Sequence, residues 1–197
     1  MRTFVGIAAV LCLAAVAING QFRFPGNFFG GGNRRPAAPA GPPRGQFQSG
    51  GGGGGCTPVA NYQSGGRNFW VSWRTCGTQL RGDQVPGVCS SGGMRPVSLN
   101  DPGLAQEFMN LCAREGQRWF WTGGRVSGQT VSWPNGVSQN AGQLRSLFSH
   151  TGGRGVPQPD NREGDEFCLA VLNNFYQDGV KFHDVSCHHT KPTICEA

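Results

Sequence analysis

Side chains that carry oxygen crowd into one stretch of this chain, residues 158–195. Gln158-Pro159-Asp160-Asn161 is followed by Glu166, Cys168, His183-Asp184 and Cys187. Carboxylates and amide oxygens are what a hard cation such as calcium takes as ligands. The same groups suit the hydroxyls of a sugar, since a carboxylate only accepts hydrogen bonds while a Gln or Asn amide both accepts and donates. Flanking cysteines can staple the loops on which such a site would sit. Catalysis is not indicated. His150, His183, His188 and His189 have carboxylates near them, but the chain has neither a His-Glu-x-x-His helix nor a Gly-x-Ser-x-Gly elbow, so no catalytic residue is assigned and no enzyme is expected. His188-His189, directly after Cys187, read as a surface or hairpin feature more than as a ligand pair, because adjacent strand residues face opposite ways.

Aromatic and apolar runs mark the elements that must position this stretch. Phe69-Trp70-Val71-Ser72-Trp73 reads as a strand, rich in side chains that suit a half-buried pleated surface. Asn100 or Asp101 can cap a helix with Pro102 in its first turn, and Leu104, Phe108, Leu111 and Cys112 share one face before Gly116 stops it. A shorter helix is expected over 82–89, with its length limited by Pro86. Residues 119–121, 130–133 and 167–172 read as strands, and Asp178-Gly179 as a tight turn between antiparallel partners. Two helices early and several strands late give an α+β domain. Between Asn135 and Phe167 lies a long stretch of little periodicity, of a length usually kept for function.

The N-terminal quarter has another character. Met1-Arg2 precede an apolar run over 4–18, the length of a secretory core and too short to span a bilayer, so residues 1–20 are read as a signal peptide and the protein as secreted. Ala15 and Ala17 suit a signal peptidase, and a cut after Gly20 is also compatible. Residues 21–55 are rich in Gly, Pro, Ala and Arg, with Phe22, Phe24, Phe28, Phe29 and Phe47 spaced along them. They are expected to be a disordered low-complexity arm, acting as a spacer or as a sticky tether through aromatic and cation-π contacts. Of seventeen basic residues, Arg2, Arg23, Arg34, Arg35 and Arg44 precede residue 56, leaving twelve against eleven acidic ones in 56–197. A nearly neutral domain with dispersed basic residues gives no support to nucleic-acid binding. Cys12 lies in the signal, leaving Cys56, Cys76, Cys89, Cys112, Cys168, Cys187 and Cys195, an odd number in an oxidising compartment with about 105 ways of pairing six of them.

Phe69-Trp70-Val71-Ser72-Trp73, Gly93-Met94-Arg95-Pro96-Val97-Ser98-Leu99, Phe120-Trp121-Thr122-Gly123-Gly124, Ser132-Trp133-Pro134-Asn135-Gly136, Phe182-His183-Asp184-Val185-Ser186-Cys187 and Pro192-Thr193-Ile194-Cys195-Glu196 occur in this order. Together they resemble the successive landmarks of a C-type lectin domain, here within 56–197. Gln-Pro-Asp-Asn, Asn173-Asn174-Phe175-Tyr176 and Cys187-His188-His189 are similar to arthropod secreted members of matrix or cuticle type. The resemblance implies two helices, small antiparallel sheets, a long loop region, and disulfides Cys89–Cys195 and Cys168–Cys187. A chain-entropy estimate gives roughly 3 kcal/mol for the shorter loop and nearly 5 for the longer. Cys76–Cys112 is the next pair expected, leaving Cys56 free beside the glycine run to link two chains.

In sugar-binding members of this family, a calcium ion and two sugar hydroxyls share the same side-chain oxygens. Carried over residue by residue, Gln158, Asp160, Glu166 and Asp184 match both the metal-binding and carbohydrate-binding positions, with Pro159 a candidate cis proline. The order Gln-Pro-Asp resembles the galactose-type pattern. His183 stands where calcium-binding members usually have Asn, and imidazole suits zinc or copper better than calcium. Phe167 occupies a carboxylate position of the auxiliary calcium site, so one calcium site is expected. The expected function is a secreted carbohydrate- or glycoconjugate-binding protein of extracellular matrix or cuticle, with chitin a conceivable polymer ligand and self-association through Cys56 or the arm. The alternative on the same fold is a calcium-independent protein- or polymer-binding structural module.

Overall fold

In Arg67-Asn68-Phe69-Trp70-Val71 two exposed residues lead into three buried ones, and this short run is the hub of the domain. The computed structural model describes residues 56–197; the segments expected as signal peptide (1–20) and arm (21–55) lie outside the described residues. Strand β1 (Tyr62–Ser64) pairs antiparallel with β2 (Arg67–Val71). The expected strand over 69–73 ends at Val71, where Ser72–Arg74 turn into a 3-10 helix. The physical reason is a side chain: the Ser72 hydroxyl accepts the Thr193 N–H at 2.9 Å.

Two short helices and two short strands follow. β3 is Leu80–Arg81, α1 is Val85–Ser91 and β4 is Arg95–Pro96. The helix expected over 82–89 starts three residues later and runs past Cys89, because Pro86 lies in the first turn, where no N–H is needed. α2 (Pro102–Arg114) is capped as expected, the Asp101 carboxylate accepting the Leu104 N–H at 2.8 Å. It buries Ala105, Phe108, Met109, Leu111 and Cys112, and the Phe108 ring meets Phe69 edge-on at 4.9 Å. Truncating a packed ring such as Phe108 to Ala would cost roughly 3–5 kcal/mol.

The second half is a five-stranded antiparallel sheet in the order β7-β6-β5-β8-β9. Its members are β5 (Trp119–Ser127), β6 (Thr130–Ser132), β7 (Ser138–Asn140), β8 (Cys168–Asn173) and β9 (Val180–Val185). The register of β5 against β8 shifts between Trp121 and Arg125, where Thr122-Gly123-Gly124 intervene. A Cβ on Gly124 would lie 2.8 Å from Leu169, so glycine is required for this close approach. β8 and β9 pair as the Asp178-Gly179 signal implied, but six residues, 174–179, join them. β10 (Thr190–Lys191) pairs with β3, and β11 (Ile194–Glu196) lies between β2 and β4. Glu196 is fully buried at the end of β11 and is held by Arg67 and by Arg95, whose Nε is 2.7 Å away. Removing its partners would strand a buried charge.

Three disulfides staple the domain. Cys89–Cys195 and Cys168–Cys187 pair with Cα separations of 5.5 and 5.2 Å. The third corrects an expectation: Cys76 pairs with Cys56 and not with Cys112. Cys112 sits on the buried face of α2 among core residues, its thiol donating to the Gln117 carbonyl at 3.0 Å. Cys56 is therefore neither free nor available to bridge two chains. Burial pushes the Cys112 thiol up to about 12. In the folded protein Cys112 should resist a thiol reagent at neutral pH and react only on unfolding. A Cys112→Ser variant should show no thiol released from 56–197 on denaturation without reductant; a reactive thiol that persists there would contradict this pairing.

Candidate functional site

Asp184 lies on β9 opposite Leu169 of β8, a fixed position within paired backbone. Its carboxylate accepts the N–H of Asp160 at 3.1 Å through Oδ1 and that of Asn161 at 2.8 Å through Oδ2. A second tie lies nearby: Phe182 N donates to Leu147 O (2.8 Å), Ser149 N to Phe182 O (3.2 Å), and Gln158 N to Ser149 O (2.9 Å). Asn161, in the left-handed region at φ 45°, turns the chain and accepts the Glu166 N–H on its side-chain oxygen at 3.0 Å. The long loop is thereby folded back onto β9, and the Gln158-Pro159 bond is cis, as the sequence suggested.

This folding brings Asp160, Glu166 and Asp184 together, one oxygen of each lying within 4.8 Å of the others. Glu166 and Asp184 are buried, and Asp160 Oδ2 and Glu166 Oε2 have no hydrogen-bond partner among the described residues. Burial, reinforced by the Asp184 charge, pushes Glu166 up to about 7. Burial also raises Asp184, against the pull of the two backbone N–H bonds. Like charges gathered away from water disfavour their own ionisation.

Gln158 lines the same cleft of about 350 Å³, and its amide packs on Gly152, where a Cβ would lie 2.5 Å from Nε2. His183 also lines the cleft but contributes no nitrogen to the carboxylate group. Its Nε2 instead lies 3.0 Å from Asp178 Oδ2, at angles outside hydrogen-bond geometry, and its ring packs against Tyr176 at 5.5 Å. Burial pushes His183 down, with Asp178 pulling the other way.

A family model for the C-type lectin domain matches residues 84–197, more than half of the chain. The chain belongs to the C-type lectin domain family. Rat L-selectin is 24% identical over 89 residues, covering 45% of this chain and 22% of that protein. The lectin CEL-I of Cucumaria echinata superposes with TM-score 0.52 at 16% identity, over 71% of this chain and 95% of that one. The carbohydrate-recognition domain of the mouse scavenger receptor C-type lectin gives 0.51 at 18%, over 72% and 95%. At such identities the structural likeness is one of fold. Proteins of this family typically bind calcium, and the residues here fit a hard cation: two unpartnered buried carboxylate oxygens beside a third carboxylate form an oxygen-only donor set.

Sequence reasoning gave several residues of this cleft no role in it. Trp119, Phe175 and Tyr176 line it, brought there by β5 and by the 174–179 connection. Lys191 of β10 is buried with its ammonium 4.9 Å from the Trp119 ring and 4.7 Å from Trp121, and burial pushes it down to about 8. The aromatic run at Trp119 was visible in sequence; its pairing with a lysine 72 positions later was not. His188 and His189 stand in the surface turn between β9 and β10, a surface feature as expected, but their rings lie together at 4.4 Å, so strand alternation does not separate them. A more apolar groove, of about 290 Å³ beside Trp121 and Trp133, has Arg125 as its one charged lining residue and no carboxylate.

The buried position of Glu166 predicts a stability that depends on pH when no metal is bound. Its folded value, about 7, exceeds that of the unfolded chain. The stability it confers is therefore fully present below the ordinary carboxylate range and is lost as pH rises towards neutrality. With a chelator present, the melting temperature of wild type relative to Glu166→Gln should fall across that window. His183, shifted the opposite way, is common to both proteins and drops out of the difference. Parallel profiles would show that Glu166 is ionised throughout.

Proposed function

We propose that the protein is a secreted, calcium-assisted saccharide-binding module of galactose type. The observation that supports this most is the convergence of Asp160 Oδ2 and Glu166 Oε2, buried and unpartnered, beside Asp184. In this reading Asp160, Glu166, Asp184 and the Gln158 amide oxygen hold one ion, and His183 is not a ligand. Bound calcium would neutralise the carboxylates and take sugar hydroxyl oxygens into its shell. The chain's own residues do the rest. The Gln158 amide donates to one hydroxyl, Asp160 accepts from another, and Gly152 leaves the space that fixes the amide. Secretion rests on residues 1–20 and agrees with three disulfides, which persist in oxidising compartments. Residence in matrix or cuticle, with self-association or tethering, falls to the arm at 21–55 now that Cys56 is paired with Cys76.

One observation favours the calcium-independent alternative. Trp119, Phe175 and Tyr176 give the cleft an aromatic wall that could bind a polymer such as chitin, or a protein segment, without an ion. Chelation separates the readings. A monosaccharide of about twelve non-hydrogen atoms at about −0.3 kcal/mol each binds with a Kd of order millimolar, so retention on multivalent galactose resin is the suitable assay. Retention should require calcium and be released by chelator. Asp160→Asn and Asp184→Asn should each weaken calcium binding by more than about tenfold. Equal retention with and without chelator would favour the alternative, and no calcium binding at all would remove the ion from the account. Gly152→Ala should reduce galactose retention by displacing Gln158, with calcium binding changed less than in the Asp variants.

A further inference from the structure

The domain gathers a second group of metal-ligating side chains, and this one is different in chemistry. Glu163, His188 and His189 each present one ligand atom within 4.8 Å of the others. His189 Nε2 lies 3.1 Å from both carboxylate oxygens of Glu163. The His188 ring packs on His189 at 4.4 Å, and its Nδ1 is 2.7 Å from the Ser186 hydroxyl, a contact that fixes the ring. The Asp165 carboxylate stands 3.8 Å from the same Nδ1. The scaffold beneath is rigid: the turn carrying both histidines begins at Cys187, which is bonded to Cys168 at the start of β8. Glu163 comes from the tight turn that follows Asn161, closed by Gly164 N donating to Asn161 O at 3.0 Å. All three side chains are partly exposed, so an ion can reach them from solvent.

We propose that Glu163, His188 and His189 form a site for a borderline divalent transition ion, zinc or copper, with solvent completing the shell. Two imidazoles and a carboxylate are a donor set for such ions, whereas calcium takes oxygen alone. The Ser186 contact to His188 is the kind of outer partner that orients a ligating ring. The site differs in donors from the oxygen-only group of Asp160, Glu166 and Asp184, although Glu163 and His189 line the same cleft. It does not depend on the saccharide reading.

The test is calorimetric titration of the secreted, metal-stripped protein with zinc, alongside visible absorption with cobalt, which reports nitrogen ligands. The expected result is one ion bound per chain, with affinity reduced by more than about tenfold in each of His188→Ala, His189→Ala and Glu163→Gln. Because these side chains are partly exposed, the variants should keep the wild-type melting temperature, and that is measured with them. His150→Ala, outside the group, should bind as wild type does. Absence of zinc binding, or binding unchanged in all three variants, would overturn the proposal. So would binding that survives His188→Ala and His189→Ala but is lost in Asp184→Asn, since the ion would then belong to the carboxylate group.

Discussion

The carboxylate of Asp184 joins a rigid strand to a loop that has no regular structure of its own at that point. Its two oxygens accept the consecutive N–H groups of Asp160 and Asn161, and those two bonds decide where the following six residues go. Asn161 then turns and holds the Glu166 N–H, so one buried side chain on β9 sets the direction of both other carboxylates. Both bonds are made away from water, where an unmade one is costly. The sheet supplies the rigidity: β9 is paired along six positions to β8, and β8 to β5. Phe182 of that strand is anchored in the core against Trp133 and Phe148.

The same arrangement creates an electrostatic imbalance. Three carboxylates lie within reach of one another, two of them buried, and among the described residues no cationic side chain hydrogen-bonds to any of them. The lysine of the cleft, Lys191, is instead enclosed by Trp119 and Trp121. Without a cation the protein can relieve the repulsion by keeping Glu166 protonated, which its raised value of about 7 expresses. Proton and metal are then competitors for the same oxygens. The exposed Glu163, His188 and His189 group has no such imbalance, which is consistent with a weaker, solvent-completed site.

Much of this was legible in the sequence, and what was not has physical reasons. Phe69-Trp70-Val71, the Asp101 cap with its apolar helix face, and the strand runs at 119 and 168 carry local signals that survive in the fold. Residue type marked the stretch, the family resemblance picked out Gln158, Asp160, Glu166 and Asp184 within it, and the structure brings them into one cleft. Disulfide partners follow from long-range geometry: Cys112 already read as part of the apolar face of α2, but only the fold shows Cys76 beside Cys56 instead. His183 was doubted as a ligand because the resemblance puts Asn at its position; its proximity to Asp178 depends on how the 174–179 connection closes, which an Asp-Gly pair alone did not specify. His188-His189 do form the surface feature that the sequence suggested, and only the strand alternation that set their rings apart does not apply in a turn. Lys191 gave no local sign, because burial of a lysine between two tryptophans is a tertiary event.

The most direct measurement is a crystal structure of the secreted protein grown with calcium. The account requires an ion in the cleft with carboxylate oxygens of Asp160, Glu166 and Asp184 at about 2.3–2.6 Å, and His183 still beside Asp178. A cleft in which Asp160 and Glu166 are instead neutralised by protonation or by a basic side chain, with calcium absent despite its presence in the crystal, would contradict it.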